Sequence, residues 1–494
     1  MKKTAIVLLI CMFFQGNTVF AENQTLNLKI DENTEVNTVK REMFGFNYEW
    51  GDDVNAGFYV SDDTSENENF YKELAGYPFV NNRGAGVSSG SFLWKYTLGS
   101  LNRRTAYDDS FTPSSRKYGG KPQKHICGLT DWLIGLKGVD NTARFDYVVN
   151  VLKDSMENVA DVVEFMHGDG TVNYNGGINW AKVRKECGID EPVDIFAWEI
   201  GNELDLRGVT IDEYIEKAKQ AISAIRSVDK TTPIAVHIAS NDRNSVGSDW
   251  QRRLLIELGD WVDYIVVHKY YGYKAVSGAM ESTVINLIDD IDRFGDSNRL
   301  KIIITEHASG WVEGIDNWPK NHSIAGMLNE VDFFSRMLQY PQVVSANYHG
   351  FRTGPWNMCY KDSDGVIKPT ILLDLYKIFV DNASAKTVIK TELDGFSLGS
   401  TTDVPGFAVK DENGDITVFI ASFRTEDTDI SIEADNEYVL TSETTIQGNG
   451  DLYANNYIDR KEIAIKTTEF DSDEVCEEYT LKPLSFAMLK LKKK

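Results

Sequence analysis

Between about residue 42 and residue 375, short apolar runs alternate with helical patterns. This alternation constrains the fold more than any other feature of the 494-residue chain. The runs that read as strands are Phe44 to Glu49, Phe79 to Arg83, Val162 to Met166, Ile195 to Ile200, Pro233 to His237, Tyr264 to His268, Lys301 to Thr305 and Val343 to Tyr348. Several are apolar on both faces, as strands held between a barrel interior and a layer of helices must be. Between them lie helical stretches at Ile211 to Ser227, Asp249 to Leu258, Glu281 to Phe294 and Ile324 to Tyr340. Thr210 followed by Glu213 marks a helix start, and the Leu/Ile spacing from Ser282 to Ile291 makes one apolar helical face. Eight strands with helices between them predict an α/β fold, a (β/α)8 TIM barrel over residues 42–380. Residues 84–158 read as a long insertion containing Gly, Ser and Arg, of the kind that shapes a cleft at the strand C-terminal ends.

Beyond about residue 386 the pattern changes. Short alternating segments such as Ile416 to Ile420 and Tyr438 to Leu440 are punctuated by Asn413-Gly414 and Asn449-Gly450 turns. These predict an antiparallel β-sandwich over residues 381–494. Leu26, Leu28 and Ile30 alternate in the same way, so residues 22–41 are expected to add a strand to that sandwich. Met1 to Ala21 reads as a signal peptide: Lys2 and Lys3 precede an apolar run from Ala5 to Phe14, and Val19-Phe20-Ala21 offers a cleavage site. The expectation from that leader is a secreted or periplasmic protein.

Composition narrows the partners. A formal charge of -24 repels nucleic acid and anionic membranes, and neither is expected as a partner. Beyond Cys11 in the leader, Cys127, Cys187, Cys359 and Cys476 are scattered, with no Cys-x-x-Cys pair and no His at metal-ligand spacing. They read as structural or free thiols, and neither a required metal nor a cofactor is expected.

The chemistry concentrates at two strand ends. Phe196-Ala197-Trp198-Glu199-Ile200-Gly201-Asn202-Glu203 closes the fourth strand candidate, and Ile302-Ile303-Ile304-Thr305-Glu306-His307 closes the seventh. TIM-barrel chemistry takes place at the C-terminal ends of the strands. A partly desolvated carboxyl group there is able to hold a proton and give it to a leaving oxygen. Two carboxylates on opposing strand ends are what glycoside hydrolysis requires, one to protonate the glycosidic oxygen and the other to attack the anomeric carbon. Glu199 sits two pleats earlier and reads as a buried, hydrogen-bonded structural acid.

Trp198-Glu199-Ile200-Gly201-Asn202-Glu203 followed by Thr305-Glu306 resembles clan A of the glycoside hydrolases, the "4/7" barrels. The resemblance implies a retaining enzyme with Glu203 as general acid/base and Glu306 as nucleophile, and Asn202 on the sugar 2-hydroxyl. Asn82-Arg83-Gly84-Ala85-Gly86 and Val267-His268-Lys269-Tyr270 are similar to segments of the family-51 α-L-arabinofuranosidases, with Ala85 where that family has Pro. A barrel with a C-terminal sandwich is also the layout of the heparanase-like family-79 β-glucuronidases.

His268 and Tyr270 follow the sixth strand, beside the nucleophile strand, and are candidates to orient Glu306 or bind sugar. His307 is a candidate pocket residue, and Arg83 at its strand end is expected to touch the site. Trp94, Trp311, Trp318 and Trp356 fall in loops and are candidates for stacking on sugar rings, with Trp356 carried forward as a substrate-binding residue. The resulting expectation is a retaining glycosidase acting on a polysaccharide or oligosaccharide. A non-catalytic carbohydrate-binding protein on a glycosidase scaffold is the competing reading.

Overall fold

The computed structural model describes residues 25–49, 72–85, 87–107, 122, 124–125, 127–240, 245–309, 321–353, 356–364, 366–457, 460–471 and 473–494. The leader at Met1 to Ala21, Trp311 and Trp318 lie outside the described residues. So does the side chain of Ala85.

After a first strand, β1 (Leu26–Thr38), eight strands close a barrel in chain order. They are β2 (Gly45–Glu49), β3 (Asn81–Ala85), β4 (Arg144–Val149), β5 (Ile195–Ile200), β6 (Ile234–His237), β7 (Tyr264–Tyr271), β8 (Lys301–Ser309) and β9 (Val343–His349). Every neighbouring pair is parallel, including the closing pair of β2 and β9.

The third expected strand is a correction. Val162 to Met166 lies inside a helix, Met156–His167, and the true third strand is β4, within the stretch read as an insertion. Val159, Val162, Val163 and Met166 recur at helical spacing and are all buried, and the Ser155 side chain caps the helix by accepting from the Asn158 amide. Local valine density imitates a strand, but the buried face decides the element. In β4 the run Phe145-Asp146-Tyr147 is broken by a carboxylate, which hides it from a search for apolar runs. The helix after β5 begins as its sequence suggests. Thr210 and Glu213 exchange side-chain and backbone hydrogen bonds in a capping box.

Inside the barrel, Ala197, Ala235, Val266 and Ile303 form a small apolar cluster with Phe196. Their strand neighbours Trp198, Val236, Val267 and Ile304 point outward into the main core. The two alanines leave interior volume that large side chains would fill, and a charged layer occupies the space above them.

Two short hairpins follow β9, pairing β10 (Arg352–Thr353) with β11 (Trp356–Asn357) and β12 (Cys359–Lys361) with β13 (Ile367–Pro369). The remaining strands are β14 (Thr387–Leu393), β15 (Gly406–Lys410), β16 (Ile416–Ser422), β17 (Thr428–Ala434), β18 (Tyr438–Gly448), β19 (Ile463–Glu469), β20 (Glu478–Leu481) and β21 (Ser485–Lys493). With β1 they make a nine-stranded sheet in the order β19-β18-β21-β16-β15-β14-β1-β17-β20. Pairing is antiparallel except between β1 and β17. Leu26, Leu28 and Ile30 share one apolar cluster with Ile416, Val418, Ile420 and Leu489, although two strands separate β1 from β16. The sheet therefore curls over onto itself.

Its other face docks on the barrel's helices. Phe407, Phe419 and Phe486 meet Phe379 of the helix Ile371–Ala383 at ring distances of 6.0, 5.4 and 6.0 Å. Every residue of β16 is buried because the strand is covered on both faces. Among the described residues, Cys127, Cys187, Cys359 and Cys476 form no disulfide with one another. No helix among the described residues is long and apolar enough to cross a membrane.

Candidate active site

The strand β5 ends in a tight turn that sets the first carboxylate. Gly201 has φ of 71°, and a Cβ there would fall 2.9 Å from the Leu204 Cδ1 atom, so both conformation and space demand glycine. Glu203 itself is left-handed, with φ of 45°. Such a conformation is uncommon in a residue with a Cβ and is held only where the surroundings determine it. The turn leaves the Glu203 side chain 20% exposed, with Oε1 3.0 Å from His268 Nδ1.

The second carboxylate owes its position to a register slip. Pairing between β7 and β8 shifts by one residue after Val267, so His268 stands beside Glu306 rather than Thr305. Glu306 is buried, and three groups hold it. Arg83 Nη1 donates to Oε1 at 2.8 Å, the Tyr270 hydroxyl donates to Oε2 at 2.7 Å, and His349 Nδ1 lies 3.6 Å from Oε2. Burial by itself raises the Glu306 carboxyl. The charges of His268, His349 and Arg83 and the Tyr270 hydrogen bond outweigh it and hold the group well below the usual carboxylate range. An oxygen of Glu203, an oxygen of Glu306 and His268 Nδ1 all lie within 4.8 Å of one another.

Beneath them is a fully buried charged layer. Arg83 Nε donates to both oxygens of Glu199 at 3.0 Å, and its Nη2 donates to Glu199 and, at 2.7 Å, to Asn202 Oδ1. His237 Nε2 lies 2.7 Å from Glu199 Oε1. Burial raises Glu199, but the Arg83 and His237 charges and hydrogen bonds prevail, and the carboxyl sits down at about 2. Asp146 completes the layer on β4, in register with Arg83 on β3. Both its carboxyl oxygens are buried without a hydrogen-bond partner. Burial and the nearby Glu199 charge push its carboxyl well above the usual range despite Arg83.

The sequence candidates thus separate. Glu203, Glu306, Asn202, Arg83, His268 and Tyr270 come together in one hydrogen-bonded cluster. Trp356 stands against it, 5.5 Å from the Tyr270 ring and 5.1 Å from the His349 ring, with its indole N–H donated to the Ser309 carbonyl. Arg83 is wholly buried and reaches the carboxylates from below, so it acts on them rather than facing the open mouth. His307 is a correction. Strand alternation turns it away from Glu306 into the helix layer, where it stacks on Phe333 at 3.9 Å and is fully buried. Trp94 is likewise core, packed on Trp180 and Phe165.

The sequence reading missed Asn47, Asp146, His237 and His349. His237 ends its strand candidate, and His349 directly follows another, so a rule that inspects the last residue of every barrel strand finds both. His349 Nδ1 is fixed by the Asn47 amide at 2.8 Å.

Residues 81–299 match the family model described as "Alpha-L-arabinofuranosidase 1 domain", a stretch that includes Glu203 and stops short of Glu306. The intracellular exo-α-(1→5)-L-arabinofuranosidase 1 of Bacillus subtilis is 24% identical over 258 residues, 50% of this chain and 48% of that protein. An enzyme of Acetivibrio thermocellus named intracellular exo-α-(1→5)-L-arabinofuranosidase is 30% identical over 126 residues, 25% of this chain and 24% of that one. The chain spans about half or less of the length of the curated relatives it matches. In fold the likeness is nearly complete. An α-L-arabinofuranosidase of Thermotoga maritima, solved with arabinose, superposes with a TM-score of 0.78 at 18% identity, over 95% of this chain and all of that one.

Residues 81–299 thus resemble an α-L-arabinofuranosidase domain, and the chain has the fold of the solved α-L-arabinofuranosidases. A family-44 xyloglucanase of Paenibacillus polymyxa shares the fold more distantly, at a TM-score of 0.60 and 12% identity over 95% of this chain. The expectation of a secreted or periplasmic protein is overturned by the relatives, five of which are named as intracellular enzymes.

Proposed function

We propose that the hydrolase removes terminal α-L-arabinofuranosyl groups from oligosaccharides by a retaining double displacement. The observation that carries the course of reaction is the spacing of Glu203 and Glu306, whose nearer oxygens lie within 4.8 Å. Retaining enzymes hold their carboxyl groups about 5–5.5 Å apart, whereas inverting ones need about 6.5–9.5 Å to admit a water. The choice of sugar draws support from the relatives' names, which specify α-(1→5)-linked L-arabinofuranose.

In this reading Glu306, ionised and oriented by Arg83 and Tyr270, attacks the anomeric carbon as the bond to the leaving oxygen breaks. Glu203 gives that oxygen its proton. His268, with Nε2–H donated to Thr305, holds the Glu203 acid proton at Nδ1 until transfer. A water then enters, Glu203 takes its proton, and the hydroxide displaces the sugar from the Glu306 ester. Asn202, clamped by Arg83, is placed to meet the sugar 2-hydroxyl, and Trp356 with Tyr270 makes an aromatic wall for the ring.

The test uses an aryl α-L-arabinofuranoside and α-(1→5)-linked arabino-oligosaccharides. Wild-type turnover is expected, with Glu306→Ala reduced at least about a thousandfold. Azide should rescue Glu306→Ala to give a glycosyl azide of inverted configuration, and should rescue Glu203→Ala to give one of retained configuration. Full activity in Glu306→Ala would exclude the mechanism. Turnover of a different glycan with both dependences intact would move the substrate and keep the chemistry.

A further inference from the structure

We propose that the mouth of the barrel is also a binding site for a borderline divalent cation such as Zn2+, formed by Glu203, His268 and Glu306, so that the metal and a glycoside exclude one another. Metal binding here needs only the geometry; the expectation of inhibition rests on the function proposed above.

Three ligand atoms of suitable chemistry converge. His268 Nδ1 lies 3.0 Å from Glu203 Oε1 and 3.7 Å from Glu306 Oε2, and the set fits within 4.8 Å. Zinc takes imidazole nitrogen and carboxylate oxygen at about 2.0–2.2 Å, so adjacent ligands of a tetrahedral site stand roughly 3.4 Å apart. The observed separations bracket that value, and the adjustment falls on Glu203, the most exposed of the three side chains.

A metal-bound imidazole donates its other N–H to a fixed acceptor, which orients the ring. Here His268 Nε2 lies 2.9 Å from Thr305 Oγ1, which leaves Nδ1 as the lone-pair donor toward the mouth. Glu306 is oriented as well, since Tyr270 holds Oε2, the oxygen nearest His268.

Two carboxylates, Glu203 and Glu306, belong to the trio itself, and the Arg83 guanidinium is shared between Glu306 and Glu199. Glu203, 20% exposed, is the member of the trio that solvent reaches. The neighbouring trio of Glu199, His237 and His268 also meets the distance requirement. Arg83 already occupies both Glu199 oxygens there, and Glu199 is wholly buried, so that trio is closed.

The test is calorimetric titration of the full chain with ZnCl2 after its thiols are blocked with N-ethylmaleimide, for wild type, Glu203→Gln and His268→Asn. Circular dichroism establishes that each variant is folded. Glu203→Gln changes a partly exposed side chain and stands as the decisive variant should His268→Asn fail to fold. One zinc per chain is expected, with affinity reduced at least tenfold in Glu203→Gln, and MgCl2 is expected to bind far more weakly. In turnover assays zinc should raise KM and leave kcat unchanged. Zinc affinity unaltered by Glu203→Gln would overturn the proposal, as would inhibition that lowers kcat alone. Variant-dependent zinc binding to a protein that turns over no glycoside would uphold the metal site and count against the hydrolase reading.

Discussion

Arg83 is the residue on which the site's electrostatics depend. It pairs at once with Glu199 and with Glu306, the proposed nucleophile. Removing one partner of a buried pair leaves an uncompensated charge and costs about 3–5 kcal/mol. Arg83→Met is therefore expected to lose that much stability in denaturant titrations, and most of its activity. A loss of activity without a loss of stability would mean that Glu199 finds another partner. Tyr270→Phe is the milder case. It deletes one hydrogen bond to a charged group, worth about 1.5–3 kcal/mol, and leaves the ring against Trp356. The expected outcome is a fall in kcat of roughly ten- to a hundredfold, with the fold and thermal midpoint nearly unchanged.

At the scale of elements, the strand β8 carries two faces with opposite tasks. Glu306 faces the mouth, while His307 one residue on faces a buried polar cluster with Tyr271 and Glu330. Glu330 sits on the helix Ile324–Met337, every residue of which is buried. It accepts from the Tyr271 and Tyr376 hydroxyls, yet burial outweighs both and pushes its carboxyl up to about 8. A carboxyl raised in the folded state contributes stability that is full below its unfolded value and is lost as pH rises toward the folded one. For Glu330 that window runs from about 4.5 to about 8. Thermal midpoints of the wild type are expected to fall across it, and those of Glu330→Gln to fall less. Equal slopes for the two proteins would show that Glu330 is already ionised in the fold.

Across the whole molecule, the barrel and the curled sheet share an aromatic seam, in which Phe379 touches Phe407, Phe419 and Phe486. Phe379→Ala should cost about 3–5 kcal/mol, as other large truncations in a core do. Because the seam joins the two cores, the wild type is expected to melt in one calorimetric transition and the variant in two. A single unshifted transition in Phe379→Ala would show that the seam contributes little. The strand β1 binds the ends of the chain together in the same sense. It lies between β14 and β17, inside the sheet rather than at its edge. Deletion of residues 1–38 is accordingly expected to yield insoluble protein, since it opens two rows of backbone hydrogen bonds at once.

How much of this was legible in the chain depended on range. The buried strands Ile195–Ile200 and Lys301–Ser309 announced themselves through continuous apolar runs, and the Thr210 cap through a pattern four residues long. Glutamates at the ends of those two strands pointed to acid/base chemistry at a barrel mouth, because strand direction alone places such residues there. The strand Arg144–Val149 was hidden by its own function, since Asp146 breaks the apolar run in order to enter the charged layer. That His307 faces the core while its neighbour Glu306 faces the mouth follows from a one-residue slip between β7 and β8, which no local pattern records. Nor does any local pattern record the spacing of Glu203 and Glu306. Barrel closure sets it, by bringing the fourth and seventh strands across a common interior, and on that spacing the choice between a retaining and an inverting course depends.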